Sequence, residues 1–218
     1  MVSHYTCLSC HCEVNSPNTT FDKKQTYFGV KADLMIDTRD NHAVPSKGIY
    51  WNTTFHYLGG NGTYSYKGVT ILNSDFSFYV RLAKDWLIWA NRIGGGVTAG
   101  SGNQNQPFEF YQAQYLGSND NLRGYRRERF AGNSKFYNQT ELRLKLANLK
   151  TYLFPASFGI FGFVDAGRVW VKNDNVSKTA VGYGGGLWFA PLRRIVVQVS
   201  VGVSDEDTIP LFGLSWRF

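Results

Sequence analysis

Apolar and polar residues alternate one by one along most of this chain after residue 25. The run that starts at Ile195 shows the pattern most clearly: Ile195, Val197, Val199, Val201 and Val203 alternate with Gln198, Ser200, Gly202 and Ser204. Successive side chains of a β-strand point to opposite faces, so this period predicts strands with one apolar and one polar face. The chain is therefore predicted to be all-β.

About nine segments carry this period, and turn-forming residues separate them. They are residues 25–37, 49–57, 72–82, 86–99, 136–147, 158–171, 180–190, 195–204 and 211–218. In the fourth segment Trp89, Ile93 and Val97 share a face, and Asn91 is out of step. The segment 180–190 is rich in glycine, which is typical of a strand that curves or admits a close neighbour.

The connections and the polar faces favour a membrane barrel over a soluble sandwich. Short turns alternate with longer loops, as in outer-membrane barrels. The polar faces carry Lys, Arg, Asp and Glu, including Glu141 and Asp165, which suits a wet lumen. The chain contains no run of eighteen apolar residues, so no transmembrane helix is predicted. The pattern predicts an antiparallel transmembrane β-barrel.

The longest break between strands, residues 100–135, contains the most charged stretch of the chain. It includes Leu122-Arg123-Gly124-Tyr125, followed by Arg126, Arg127 and Arg129. A long, charged connection in a chain whose other connections are short more often has a function than not. From the residues alone, Arg123 is either a solvated loop arginine or the partner of a carboxylate.

The formal net charge of +7 leaves a nucleic-acid partner open as an alternative. A soluble basic β-protein would use the cluster from Arg123 to Arg129 for this purpose. The other basic residues are spread along the strands, which favours a polar lining. We therefore expect no nucleic-acid partner.

Residues 1–20 differ from the rest and contain all three cysteines, in the motif Cys7-Leu8-Ser9-Cys10-His11-Cys12. Cys-x-x-Cys-His is the attachment pattern for c-type haem, and cysteines with histidine can bind zinc. No helical domain follows for a haem, and no second cysteine pair completes a zinc site. We expect an unstructured or unrelated segment over residues 1–20, no cofactor, and no enzymatic activity, because no catalytic constellation is visible.

Several motifs together resemble one known family. They are Leu122-Arg123-Gly124-Tyr125, Glu141-Leu142-Arg143, residues 163–170 (Phe-Val-Asp-Ala-Gly-Arg-Val-Trp), Gly182-Tyr183-Gly184-Gly185-Gly186-Leu187, the turn at residues 37–48, and the terminal Phe218. On these residues the chain resembles the bacterial surface-antigen family of BamA-like outer-membrane barrels. The segment 110–117 (Phe-Tyr-Gln-Ala-Gln-Tyr-Leu-Gly) is similar to barrels fused to phosphoesterase domains.

The resemblance implies a place for each motif. The long loop is expected to fold back into the lumen, where Arg123 meets Asp165 and Glu141. Trp216 and Phe218 are expected to form the C-terminal insertion signal, and Trp216 is also a candidate for the interfacial aromatic belt. Family barrels have about sixteen strands, so residues 21–218 are expected to be the C-terminal portion of such a barrel.

The same resemblance implies a role in the bacterial outer membrane. The expected function is the insertion or translocation of proteins. The expected partners are outer-membrane lipid, the barrel assembly machinery and client outer-membrane proteins. The alternative is a membrane anchor or export barrel for a fused enzyme of the phosphoesterase type.

Overall fold

The computed structural model describes residues 27–60, 68–84, 86–100, 110–150, 155–171, 179–192 and 194–216 of the 218-residue chain. The cysteine motif, Phe218 and the boundary predicted after residue 20 lie outside these ranges. Among the helices in these ranges, none has the length and apolar character needed to cross a membrane.

Nine long strands form one antiparallel sheet, and two short strands form a second. The strands are β1 (Tyr27–Asp37), β2 (Gly48–Gly60), β3 (Val69–Ala83), β4 (Leu87–Gly100), β5 (Gln114–Leu116), β6 (Phe130–Gly132), β7 (Ser134–Lys150), β8 (Pro155–Trp170), β9 (Ala180–Pro191), β10 (Val197–Val203) and β11 (Thr208–Gly213). The order in the large sheet is β1-β2-β3-β4-β7-β8-β9-β10-β11, while β5 pairs with β6. The prediction of an all-β antiparallel fold with nine main strands is confirmed. Among the described residues the sheet is open, because β1 pairs only with β2 and β11 only with β10.

The two faces of the large sheet have opposite character. The outer face exposes large apolar side chains on neighbouring strands: Leu142, Leu146, Ile160, Val164, Leu187, Val199, Val201 and Phe212. The inner face buries polar and charged side chains, among them Gln139, Glu141, Arg143, Asp165 and Gln198. A soluble sandwich has the reverse arrangement, so this sheet suits an apolar surrounding.

The inner face curls around an enclosed space. The guanidinium of Arg143 on β7 lies 3.8 Å from the ring centre of Trp216, which follows β11. Three strands lie between β7 and β11, a separation of about 19 Å across a flat sheet. Val44, in the turn between β1 and β2, packs on the cluster that contains Phe161, Trp188 and Trp216. The sheet therefore bends until distant strands share one interior.

The predicted outward position of Trp216 is wrong. A place in the interfacial belt requires Trp216 to share the outer face with Phe212 and Leu214, but β11 ends at Gly213 and the alternation ends there too. Phe212 and Leu214 are exposed, whereas the Trp216 ring is only 8% exposed and packs edge-on against Phe161 and Trp188. Trp216 is therefore an interior residue and does not belong to an interfacial belt.

Asn91, which was out of step in the sequence, lies on the outer face with Trp89 and Ile93. Its Nδ2 donates hydrogen bonds to Asn138 Oδ1 (2.9 Å) and to Thr140 Oγ1 (2.6 Å) on the adjacent strand β7. Side-chain hydrogen bonds of this kind compensate for placing an amide on an apolar face. The Nδ2 of Asn91 is thus satisfied within the sheet, whereas its buried Oδ1 accepts no hydrogen bond within the described ranges.

We expect Val164→Lys to destabilise the protein in lipid by about 2–4 kcal/mol, because Val164 is exposed near the middle of β8 and a charge there would face hydrocarbon. The free energy of unfolding in urea, measured for protein folded into lipid vesicles, checks this. The control is Val171→Lys, which makes the same change at an exposed residue just beyond the end of β8. Equal costs for the two variants would contradict an outer face in contact with lipid.

Candidate functional site

Residues 110–133, in the long connection between β4 and β7, form a loop that lies on the inner face. It contains a 3-10 turn (Phe110–Gln112), the β5–β6 pair and the short helix α1 (Ser118–Asn121). Asn121 holds the loop together, because its Oδ1 accepts from Gly117 N at 2.9 Å and its Nδ2 donates to Tyr115 O at 3.3 Å. Ser118 N donates to Tyr125 O at 3.0 Å, which closes the chain around Leu122, Arg123 and Gly124.

Arg123 is fully buried, and every part of its guanidinium faces a partner. Nε and Nη2 donate to the two carboxylate oxygens of Asp165, at 2.7 and 2.6 Å. The backbone N of Arg123 donates to the same carboxylate at 2.9 Å, and Nη1 donates to Glu141. The Phe163 ring lies beneath the guanidinium, 3.7 Å from Cζ to the ring centre. The structure thus brings together Arg123, Asp165 and Glu141, the three residues expected to meet.

A second buried arginine balances the charge of this cluster. Arg143 Nε donates to Glu141 Oε2 at 2.9 Å, so Glu141 accepts from two guanidinium groups. Two arginines and two carboxylates make a formally neutral group with each side chain at most 2% exposed. Burial alone would lower the pKa of Arg123, but the neighbouring Glu141 and Asp165 outweigh it and raise that pKa. The arginine therefore stays charged inside the sheet.

Glycines allow the loop to lie directly on the sheet. A Cβ at Gly182 on β9 would overlap the carbonyl oxygen of Arg123, and one at Gly202 on β10 would lie 2.7 Å from Gly124 N. Gly124 itself has a φ of +93°, a left-handed conformation that favours glycine. Leu122 and Tyr125, on either side, are buried and pack with Ala180. The close neighbour expected for the glycine-rich strand is thus the arginine motif.

The turn between β10 and β11 binds further polar side chains of the loop. We call Asp205, Glu206 and Asp207 the acidic turn; Tyr125 Oη donates to Asp205 at 2.5 Å and Arg129 Nε donates to Glu206 at 2.7 Å. Arg126 Nη2 contacts Asp207 at 3.3 Å, and Ser204 Oγ donates to Gly124 O at 2.7 Å. Burial and the Asp205 carboxylate raise the pKa of the Tyr125 hydroxyl, which keeps it a hydrogen-bond donor.

This second attachment was not predicted from the sequence. Its only signal is three consecutive acidic residues, Asp205-Glu206-Asp207, after the clearest strand of the chain. Arg126 is mostly exposed, so its ion pair contributes little to stability. The buried Tyr125 and the Ser204 hydrogen bond to the backbone carry more of the attachment.

The arrangement is suited to holding a loop rather than to performing a reaction. Arg123, Glu141 and Asp165 are saturated by one another and closed to solvent, so none of them is open to a substrate. The described residues contain no group of three or more His, Cys, Asp or Glu side chains placed to hold a metal. The candidate metal ligands Cys7, Cys10, His11 and Cys12, and the terminal Phe218, lie outside the described ranges.

Comparison with protein-family models matches residues 5–214 to the Omp85 superfamily domain. The match covers nearly the whole chain, including the arginine loop and its partners on β7 and β8. None of the curated proteins compared with the chain matched it significantly.

We expect Arg123→Ala to reduce the free energy of unfolding by about 3–5 kcal/mol, because it leaves two buried carboxylates without their shared cation. Asp165→Ala should cost a similar amount, and the double variant should cost at least ~1 kcal/mol less than the sum of the two. Urea unfolding of the four proteins in a double-mutant cycle measures this coupling. Arg127→Ala, in the same loop but largely exposed, is the control. Strict additivity would refute the pairing.

We expect Tyr125→Phe to cost about 1 kcal/mol, because it removes the hydrogen bond to Asp205 and keeps the buried ring. Hydrogen exchange of the amides in the β10–β11 hairpin should become faster in this variant. Tyr183→Phe is the matched control, since the Tyr183 ring is 55% exposed. If the two variants behave alike, the acidic turn does not hold the loop.

Proposed function

This chain belongs to the Omp85 superfamily, and we propose that it forms part of an outer-membrane β-barrel that inserts or translocates other polypeptides. The superfamily acts in protein insertion and translocation at the bacterial outer membrane. The observation that carries the proposal is the buried Arg123–Asp165–Glu141 cluster, which fastens a long loop inside a sheet whose outer face is apolar.

In this function the loop is a fixed internal element. Arg123 ties it to β7 and β8 through Glu141 and Asp165, and the acidic turn ties it to the hairpin of β10 and β11. The loop thereby bridges the last five strands of the large sheet and keeps their curvature. Client polypeptides would be handled at the strand edge or in the lumen, against a wall of constant shape.

The proposed partners follow from the two faces. Outer-membrane lipid would contact the exposed apolar side chains of the outer face. The barrel assembly machinery would insert the chain, with Trp216 and Phe218 in the C-terminal signal for insertion. The third proposed partners are client outer-membrane proteins, as expected for a BamA-like barrel. The cluster itself takes no cofactor in this proposal, and the chain acts without enzymatic activity.

A second candidate is the membrane anchor or export barrel of a fused phosphoesterase-type enzyme. The segment from Phe110 to Gly117 favours it, because that segment is similar to barrels of this kind. In the structure this segment forms the 3-10 turn and β5, which lead into the arginine motif. In this case the loop would have the same anchoring role, and the barrel would have no client of its own.

The nucleic-acid alternative is not proposed. It depended on a free cluster of arginines, but Arg123, Arg126, Arg127 and Arg129 each lie beside a carboxylate. A phosphate backbone would have to displace these partners, and Arg123 is closed to solvent. Arg123 and Arg129 therefore serve the attachment of the loop.

Reconstitution into lipid vesicles tests the proposed function. Vesicles that contain the protein should fold an unfolded outer-membrane barrel client faster than empty vesicles, as measured by protease protection of the client. Arg123→Ala should remove most of this acceleration, since the loop would no longer be held, whereas Arg127→Ala should retain it. No acceleration over empty vesicles would overturn the insertion function and favour the anchor.

A further inference from the structure

A second cluster of polar side chains lies on the inner face, in a row across β3, β4 and β7. Asp75 lies opposite Gly94, and Gly94 lies opposite Tyr137. Adjacent strands are about 4.8 Å apart, so the backbones of Asp75 and Tyr137 are separated by about 10 Å. The Tyr137 hydroxyl nevertheless donates a hydrogen bond to the Asp75 carboxylate. Gly94 permits this contact, because a Cβ there would overlap both the carboxylate and the Tyr137 ring.

Arg92 connects this row to the loop. It lies on β4 two residues before Gly94, on the same face of the strand. Its Nη2 lies 3.2 Å from Asp75 Oδ1, and its Nη1 donates to the backbone oxygen of Asp120 at 3.1 Å. One planar group thus holds the sheet with one nitrogen and the loop with another. A lysine carries its charge on a single nitrogen at the end of a flexible stem, so it cannot reproduce this fork.

Asp120 belongs to α1, which is too short to be stable without outside contacts. A helix of one turn pays the cost of nucleation and gains little in return. The last carbonyl groups of a helix have no partners within it, and a cation near them is favourable. α1 ends at Asn121, and Arg123 follows two residues later. The hydrogen bond from Arg92 therefore fixes the segment that leads directly into the arginine motif.

The attachments of the loop at Arg92 and at Arg123 differ in their access to water. The side chains of Arg123 and its two carboxylate partners are at most 1% exposed. Those of Arg92 and Asp75 are 18% and 24% exposed, and they line an open cavity of about 480 Å³ between the loop and strands β2 to β4. Water can replace a partner at a partly exposed ion pair, whereas a sealed pair has no substitute. The Arg92 attachment is therefore the easier one to open.

We propose that Arg92 is a positioning residue of the loop, with Asp75 and Tyr137 fixing its guanidinium. Arg92 holds α1 against β3 and β4, so the loop joins strands on both sides of β7 in the sheet. α1 is then the part of the loop that loosens first, while the Arg123 cluster stays closed. The consequence for clients rests on the proposed function, because a wall of constant shape requires α1 to be held.

Hydrogen exchange of the ¹⁵N-labelled protein in uncharged detergent micelles tests this role. The reporting amides donate hydrogen bonds in and around α1, and they are Gly117, Ser118 and Leu122. Arg92→Lys keeps the charge and removes the fork, so it should speed up their exchange about tenfold, the equivalent of one charge-assisted hydrogen bond. The amide of Arg123, which donates to Asp165, should keep its rate.

The matched control is Arg81→Lys. Arg81 lies on the neighbouring strand β3, and its Nη2 lies 3.5 Å from Asp40 in the β1–β2 turn, away from α1. This variant should leave the reporting amides unchanged. Equal exchange rates in Arg92→Lys and Arg81→Lys would overturn the proposal. A uniform acceleration that includes the Arg123 amide would overturn it too, since it would indicate a general loss of stability.

Two adjacent glycines of β4 supply a second test. Gly94→Ala should accelerate the same amides, because the added Cβ displaces Asp75 from Arg92, and combining it with Arg92→Lys should add little. Gly95→Ala is the control, since the nearest atom to its Cβ would be 3.4 Å away, an ordinary contact. If Gly95→Ala accelerates the amides as much as Gly94→Ala, the cluster does not position α1.

The client-folding assay keeps this inference separate from the proposed function. Arg92→Lys should slow the folding of the client relative to Arg81→Lys. If α1 loosens in Arg92→Lys but the unmodified protein does not accelerate client folding, the positioning role is supported and the insertion function fails. If the unmodified protein accelerates folding but the reporting amides of Arg92→Lys keep their rates, the positioning role fails and the insertion function stands.

Discussion

The buried guanidinium of Arg123 constrains the rest of this structure. A charge without water is tolerated only when carboxylates and further hydrogen bonds replace its hydration. Asp165 and Glu141 do this from two adjacent strands, and Phe163 closes the site from below. Removal of any one partner would leave a charge with no compensation, so the loop and both strands must form as one unit.

This requirement makes the register of β7 and β8 critical. Glu141 lies opposite Phe163 and Gln139 opposite Asp165, so the two carboxylates reach the inner face as diagonal neighbours, offset by two residues along the strands. A shift of one residue in either strand would turn its carboxylate to the apolar outer face. The glycines at 182 and 202 add a second restriction, because the loop backbone occupies the space of their missing side chains.

The sequence predicted the strands and their faces because alternation is a local property. The same rule put Glu141 and Asp165 on polar faces, and the resemblance to a family supplied Arg123 as their partner. Trp216 was misplaced because its strand ends at Gly213, and no local signal marks that end. The contacts of the loop with the acidic turn were missed because they join residues about 80 positions apart, through the curvature of the sheet. That curvature depends on all the strands together, so no single segment predicts it.

The interior of this sheet replaces an apolar core with a polar one. The outer face already uses most of the large aliphatic side chains, so the inner face is held by ion pairs, hydrogen bonds and a few aromatic rings. Such interactions are directional, whereas apolar packing tolerates repacking. A loop bound in this way has one position rather than many. The arginine motif is therefore better understood as the core of the interior than as a surface feature. Its attachment to β7, β8 and the final hairpin explains why a polar segment can be among the most buried parts of the chain.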